Sequence, residues 1–193
     1  MPQQYQVGHP GPANERIGGV PTVHYFDFFS KGRGQVIRLL FIDAGIAYND
    51  VRYSFDEYRN DIKPSFMQPG GMNPTGNVPV VELNGEVMTQ FYAILRYFSR
   101  VLDNQYDGDT QEEMFWVDRM CDITIDWRTK LVDAYFSEKW KEEYEGHCQM
   151  IRPRYMQALE RHLTENEMAQ RGPYVIGQKF TYADVVMSAP QLS

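Results

Sequence analysis

Two hydroxyl side chains stand where a predicted strand gives way to a predicted helix. Tyr25 lies at the end of a strand that begins at Thr22, and Ser30 lies at the following loop-to-helix junction. A hydroxyl beside a helix N-terminus can donate a hydrogen bond to a bound group and favour the negatively charged form of that group. The hydrogen bond and the helix dipole both stabilise the negative charge. Each residue also has a purely structural interpretation, Tyr25 as a core aromatic and Ser30 as an ordinary helix N-cap.

A second candidate anion site is the start of the helix that follows Thr89 and Gln90. The backbone N–H groups at such a helix end point outward and attract anions together with the helix dipole. The residue after Gln90 is Phe91, so the backbone N–H at this position is retained while the side chain brings no donor.

Several other chemistries are not indicated by the sequence. The four histidines show no metal-ligand spacing, and Cys121 and Cys148 do not form a CxxC pair, so no metal site or protein-borne redox dithiol is predicted. The Gly32-Arg33-Gly34 segment has neither the P-loop pattern nor the dinucleotide-binding pattern of glycines.

The elements that must position these residues follow the order β-α-β-(α)-β-β-α. Aromatic and β-branched residues predict strands at Thr22 to Phe26 and Ala47 to Phe55, and apolar residues at helical spacing predict an intervening helix that Gly45 ends. The polar segment from Asp56 to Gly76, with its prolines and glycines, is predicted to be mostly loop with at most one short helix. The turn Asn84-Gly85 between two apolar runs predicts a hairpin.

All later segments have a helical pattern. Two long amphipathic stretches run from Gln111 to Phe136 and from Lys139 to Leu163, and Thr181 and Asp184 have the spacing of a capping box. The sequence therefore predicts four regions: a flexible tail at residues 1–20, an α/β domain at 21–101, a polar linker at 102–110 and an all-helical domain at 111–193.

The composition indicates which classes of molecule this protein can bind. With 42% hydrophobic residues among 193 the chain can form a real core, and its net charge of −7 disfavours nucleic acid and anionic membranes as partners. No apolar stretch approaches the roughly 18 residues of a membrane span, and the first residues do not form a signal peptide. With only two cysteines, we expect a soluble, cytoplasmic protein that binds small molecules or other proteins.

Five motifs in register resemble the cytosolic glutathione transferases, over about residues 20 to 187. The motifs are His24-Tyr25-Phe26, Gly32 to Leu40, Asn77 to Val80, Met88 to Tyr97, and the pair of helical-domain landmarks Asp122 to Asp126 and Gly177 to Asp184. The resemblance implies a thioredoxin-like N-terminal domain, with a cis-proline at Pro79, and an all-helical C-terminal domain. It also implies further helical elements beyond Asp184, so the helical domain is expected to be truncated, with exposed apolar faces.

The resemblance implies that glutathione is the co-substrate and that no other cofactor is needed. Its thiol must ionise, although a free thiol with a pKa of about 8.5 is only a few per cent thiolate at pH 7. Tyr25 matches the donor of the tyrosine-using sigma, mu and pi classes, but with about two extra residues before Gly32. Ser30 matches the serine-using theta class without a gap, and both candidates remain open.

The same resemblance assigns binding residues to each part of glutathione. The cysteinyl part pairs with the backbone of Val78, and the γ-glutamyl carboxylate meets Gln90 and Phe91. The glycyl carboxylate lies near Tyr58 or its neighbour Arg59, with Lys63. Asn77 and Pro79 are further glutathione-binding residues. Asp126 matches an acid that reaches glutathione across a homodimer. The family normally has Ser where this chain has Phe91.

Two functions from different classes follow from these expectations. The first is the conjugation of glutathione to a hydrophobic electrophile in a detoxification role, with isomerase or peroxidase activity as further versions. The alternative is a non-catalytic binding or regulatory protein with a degenerate glutathione site, which Phe91 and the short C-terminus favour.

Overall fold

The computed structural model describes residues 2–27 and 32–188. The chain divides into two compact units, Met1–Asp103 and Asn104–Ser193. The first unit contains a mixed sheet covered by helices, and the second contains helices.

The sheet of the first unit has five strands in the order β1-β3-β2-β4-β5. The strands are β1 (Gln3–Val7), β2 (Thr22–Phe26), β3 (Tyr48–Tyr53), β4 (Val80–Leu83) and β5 (Glu86–Thr89). β2 and β3 are parallel, and the other three pairs are antiparallel. Asn84 and Gly85 both have positive φ, at 53° and 83°, which confirms the predicted two-residue hairpin turn.

The first unit also contains helices, most of which bury apolar residues. They are α1 (Pro12–Ile17), α2 (Gly32–Asp43), α3 (Phe55–Glu57), α4 (Lys63–Met67) and α5 (Phe91–Val101), with a π-helical turn at Tyr58–Ile62. Phe41 of α2 and Phe98 of α5 are fully buried, with ring centroids 4.7 Å apart. The strand β2, the helix α2 and the helix end at Gly45, where φ is 68°, are confirmed.

The prediction of a flexible tail over residues 1–20 is wrong. β1 pairs antiparallel with β3 from Gln3 to Val7, and α1 follows it. The Asn14 side chain is buried, donates to the carbonyls of Gly19 and Ala47 at 2.9 and 2.8 Å, and accepts from the Ala47 N–H at 2.9 Å. Backbone pairing and a buried amide fix this segment, and neither produces an apolar repeat in the sequence.

The prediction of a mostly looped segment from Asp56 to Gly76 is wrong in its first half. Helical turns run without a break from Phe55 to Met67. Ser54 and Glu57 form a capping box at the start, and Phe66 is buried against the sheet. Pro64, which has no backbone N–H, is the second residue of α4 and lies just after the π-helical turn of this run.

The second unit consists of helices, the last of which follows a longer connection that contains an isolated β-bridge between Tyr174 and Gly177. They are α6 (Gln111–Phe136), α7 (Trp140–Gly146), α8 (Arg152–Glu165) and α9 (Tyr182–Ser188), with a π-helical turn at His147–Ile151 and a 3₁₀ turn at Ala169–Arg171. This arrangement confirms both predicted amphipathic stretches. No helix among the described residues is long and apolar enough to cross a membrane.

The start of α9 is fixed by one carboxylate. Asp184 accepts the N–H of Thr181 and that of Val175, each at 2.8 Å, and so joins the helix to the preceding turn. Thr181 also donates its hydroxyl to Asp184 at 2.8 Å. The acidic residue therefore binds back to the N–H of Thr181, which is one of the two hydrogen bonds of the predicted capping box.

Candidate active site

The phenol of Tyr25 meets the first turn of α2. Its side chain projects from β2 and is 6% exposed, and its oxygen accepts the backbone N–H of Arg33 at 3.0 Å. Gly32 has a φ of 75°, and a Cβ at Gly32 or Gly34 would collide with the Tyr25 hydroxyl or ring. The two glycines let the positive end of the helix dipole approach the phenol oxygen.

Ser30, the other candidate donor, lies outside the described residues. Its assignment stays a prediction.

The backbone before β4 lies in the same cluster of side chains as Tyr25. Val78 is buried in this cluster, and Tyr58 packs against it. The Val78–Pro79 peptide is cis, which confirms the cis-proline that the resemblance implied. The pairing of β4 with β2 begins at Val80 opposite His24, so Val78 lies beyond the end of this ladder.

Tyr58, Lys63 and Asn77 come together around Gly76. The Tyr58 hydroxyl donates to the Gly76 carbonyl, and the Lys63 stem lies beside Gly76. Burial raises the pKa of Tyr58, and the nearby Tyr25 raises it further, so Tyr58 is a neutral donor. Lys63 and Asn77 are exposed, which leaves a cation and an amide at the surface next to the buried cluster.

The N-terminus of α5 is strained and lacks a side-chain cap. Gln90, its N-cap residue, is exposed and has a φ of 68° and a ψ of 97°, in a region that residues other than glycine seldom occupy. Strain of this kind is often retained at binding sites. The Phe91 side chain is only 4% exposed and packs on Tyr92, with ring centroids 4.0 Å apart.

Sequence reasoning did not single out Arg33, which the structure places among the candidate site residues. Its guanidinium carbon lies 6.0 Å from the centroid of the Phe91 ring, so its charge lies near the start of α5. Its Nε is buried and has no hydrogen-bond partner within residues 2–27 and 32–188. A cation between Gly32 and Gly34 was the available signal, but the sequence alone does not show that α2 and α5 begin close together.

Asp126 lies on α6 of the second unit, with an exposed side chain. The other described candidates all belong to the first unit. Its role across a homodimer stays a prediction.

Comparisons with known proteins agree with this geometry. The family model described as "Glutathione S-transferase, N-terminal domain" matches residues 21–100, and the one described as "Glutathione S-transferase, C-terminal domain" matches residues 125–189. Glutathione S-transferase 1 of Ascaris suum is 31% identical over 172 residues, which are 85% of this chain and 75% of that protein. S-crystallin SL20-1 of Nototodarus sloanii is 35% identical over 105 residues, which are 52% of this chain and 40% of that protein.

Solved structures show the same likeness. A glutathione S-transferase of Caenorhabditis elegans is 30% identical, with a TM-score of 0.66 over 87% of this chain and 78% of that one. Prostaglandin synthase D of Nilaparvata lugens is similar in fold, with 23% sequence identity and a TM-score of 0.72. The matched region covers 86% of this chain and 77% of the prostaglandin synthase.

Proposed function

The chain belongs to the glutathione S-transferase family of enzymes, and we propose that it binds glutathione in its first unit and transfers the thiolate to a hydrophobic electrophile. The observation that carries this proposal is the Tyr25 phenol, held by the N–H of Arg33 at 3.0 Å at the start of α2. Together with the backbone at Val78, it supports a site for a peptide thiol.

Tyr25 acts as a hydrogen-bond donor to the sulfur. Its oxygen accepts the Arg33 N–H, which polarises the phenol and makes its own proton a better donor. A hydrogen bond to the charged form lowers a thiol pKa, and the helix dipole acts in the same direction. A decrease of about two units, worth roughly 2.7 kcal/mol, makes the thiolate the main form at pH 7.

The rest of glutathione is held by its backbone and its two carboxylates. The cysteinyl part extends the sheet by pairing with Val78, whose backbone lies beyond the end of the β2–β4 ladder. The glycyl carboxylate meets Lys63 and Asn77, with Tyr58 nearby. Lys63 and Asn77 are exposed next to the buried cluster, and each can donate hydrogen bonds to an anion.

The γ-glutamyl carboxylate meets the N-terminus of α5, at the backbone N–H of Phe91 beside Gln90. The serine hydroxyl that the resemblance implies at this position is missing, since Phe91 is apolar. Arg33, whose guanidinium lies over the Phe91 ring, supplies a positive charge in its place. A charge-assisted contact of this type offsets the lost hydrogen bond.

Phe91 also favours a second candidate function, that of a non-catalytic binding protein with a weakened glutathione site.

Asp126 contributes to glutathione binding only if the chain forms a homodimer, which we propose as the working state. Both described cysteines are free thiols, which supports a cytoplasmic location.

The test is the rate of conjugation of glutathione to 1-chloro-2,4-dinitrobenzene, together with thermal unfolding at increasing glutathione. We expect the midpoint of unfolding to rise with glutathione. We expect Tyr25→Phe to lower the conjugation rate by about 10- to 100-fold, the effect of losing a hydrogen bond to a charged group. The matched control is Tyr97→Phe, which removes an exposed hydroxyl from α5. A midpoint that rises without any conjugation would instead support the non-catalytic alternative.

A further inference from the structure

Charged side chains of β3 lie on the same face of the sheet as Tyr25. In the register of the parallel pair β2–β3, Arg52 lies opposite Tyr25, and in the antiparallel pair β1–β3 it lies opposite Gln3. Asp50 lies two residues before Arg52 on β3, so its side chain points to this same face. The proposed function uses neither Asp50 nor Arg52, although both lie beside the residue that carries the proposed chemistry.

The helix α2 brings a second guanidinium to this face. Arg38 is 3% exposed, and its Nε and Nη2 both donate to one oxygen of Asp50, at 3.0 and 2.8 Å. The other oxygen of Asp50, which is fully buried, accepts from Nε of Arg52 at 2.7 Å. The guanidinium carbon of Arg38 lies 5.7 Å from the centroid of the Tyr25 ring, within cation–π distance. One carboxylate therefore fixes two arginines, and one of the two contacts the phenol.

The Arg38–Asp50–Arg52 group has a net positive charge, because two guanidinium cations share one carboxylate. Asp27 lies 3.4 Å from Arg52, but its side chain is 46% exposed, so water screens its charge and the offset is partial. Tyr48 lies near the same charges and is neutral, because burial and then the charge of Asp50 raise its pKa to about 12. A net positive charge therefore lies beside the Tyr25 ring.

The first strand also supports this group. The guanidinium carbon of Arg52 lies 5.3 Å from the centroid of the Tyr5 ring in β1. β1 lies outside residues 21–100, which the N-terminal family model matches. Part of the support for Arg52 therefore comes from a segment outside the matched domain.

Two groups outside the Arg38–Asp50–Arg52 group also face the phenol of Tyr25. The phenol oxygen accepts the N–H of Arg33 at 3.0 Å. Tyr58 lies nearby, and burial raises its pKa, which keeps it neutral. Both groups are unchanged in the variants described below, so a difference among those variants comes from the altered charges.

We propose that Arg38 is a positioning residue for the thiol chemistry, and that Arg52 and Asp27 set the net charge beside the Tyr25 ring. This inference rests on the proposed function, in which the Tyr25 phenol donates a hydrogen bond to the glutathione sulfur. Positive charge beside a phenol makes it a stronger donor, because it stabilises negative charge on the phenol oxygen. A larger positive charge therefore lowers the pKa of the bound thiol, and a smaller one raises it.

The test is the pKa of the glutathione thiol bound to the full chain, measured by thiolate absorbance in two variants of opposite charge effect. Arg52→Gln, at a position 26% exposed, should raise this pKa by about 0.5 unit or more, because the group loses its net positive charge. Asp27→Asn removes the exposed negative charge and should lower this pKa by about 0.3 unit or more. A purely structural role would not shift the thiol pKa in opposite directions. Because Asp27 is exposed, its variant tests the proposal even where Arg52→Gln is unstable.

Three controls separate the charge effect from other effects. Arg52→Lys keeps the positive charge and should restore the parent thiol pKa to within about 0.2 unit. Arg100→Gln removes an equal charge from an exposed position in the last turn of α5 and should leave the thiol pKa unchanged. In a Tyr25→Phe background, the shifts caused by Arg52→Gln and Asp27→Asn should fall to less than about half, because Arg38 acts through the phenol.

Three results would overturn the proposal: the same thiol pKa in the parent, Arg52→Gln and Asp27→Asn chains, shifts of the same sign in the two variants, or shifts that persist in full without the Tyr25 hydroxyl. An unchanged thiol pKa in Tyr25→Phe alone, or no glutathione binding by the parent chain, would overturn the proposed function as well. If Tyr25→Phe raises the thiol pKa and the charge variants do not shift it, only the role of Arg38 fails, so the two failures are distinguishable.

Discussion

At the scale of single residues, Phe91 is where this chain departs most clearly from the pattern it resembles. Its ring is 4% exposed, packs on Tyr92 and lies under Arg33. An apolar side chain therefore stands where the resemblance implies a serine hydroxyl, and its ring fills space in the core. Restoring the hydroxyl changes packing and ligand binding together, and the two effects must be measured separately.

We expect Phe91→Ser to lower the free energy of unfolding by about 3 kcal/mol or more, because it removes a buried ring and leaves a cavity. Urea unfolding measures this change. The control Phe115→Ser alters a ring that is 59% exposed, and it should stay within about 0.5 kcal/mol of the parent chain. Equal losses in the two variants would contradict the packing described for Phe91. A glutathione affinity more than about 10-fold higher in folded Phe91→Ser would contradict compensation by Arg33.

At the scale of elements, the predictable parts are those whose signal is local. The aromatic and β-branched run of β2, the Asn84-Gly85 turn and the amphipathic stripe of α6 each carry their own pattern. In the site, Tyr25 and the Val78–Pro79 peptide became candidates because the motifs that contain them resemble those of the family. The position of Arg33 beside Phe91 could not be predicted, because it depends on two helices separated in the chain starting near each other.

The segment before Thr22 shows the opposite case, in which distant polar contacts create structure. We expect Asn14→Ala to lower the free energy of unfolding by about 2–4 kcal/mol, since it leaves the buried N–H and carbonyl of Ala47 without their partner. Glu15→Ala, at the exposed neighbouring position, should change stability by less than about 0.5 kcal/mol. Chemical denaturation of both variants measures the difference. A negligible loss for Asn14→Ala would mean that this segment does not depend on its buried amide.

At the scale of the whole molecule, two buried histidines make stability depend on pH. Burial is the main cause that lowers the pKa of His147 and of His162 in the folded chain. His147 Nε2 accepts the indole N–H of Trp127 at 3.1 Å, which also requires this nitrogen to be unprotonated. The unfolded state, with histidine pKa values near 6.5, therefore binds more protons than the folded state as the solution is acidified.

The stabilisation from these neutral histidines is fully present above about pH 6.5 and is lost as the pH falls towards the lowered pKa values. We expect the free energy of unfolding, measured in urea, to decrease from about pH 7 to about pH 5. His162→Gln should reduce this slope, and His9→Gln, at an exposed position, should not. A slope that is the same in all three chains would show that His162 does not contribute to it.

The most direct test of the proposed chemistry is the pKa of the glutathione thiol bound to the intact chain, followed by thiolate absorbance as the pH is raised. In the parent chain we expect a value about two units below the 8.5 of a free thiol. In Tyr25→Phe, saturated with glutathione, we expect a value at least about one unit higher than in the parent chain, because only the helix dipole then stabilises the thiolate. Equal and low values in the two chains would contradict the account, because the thiolate would then be stabilised by a group other than the Tyr25 hydroxyl.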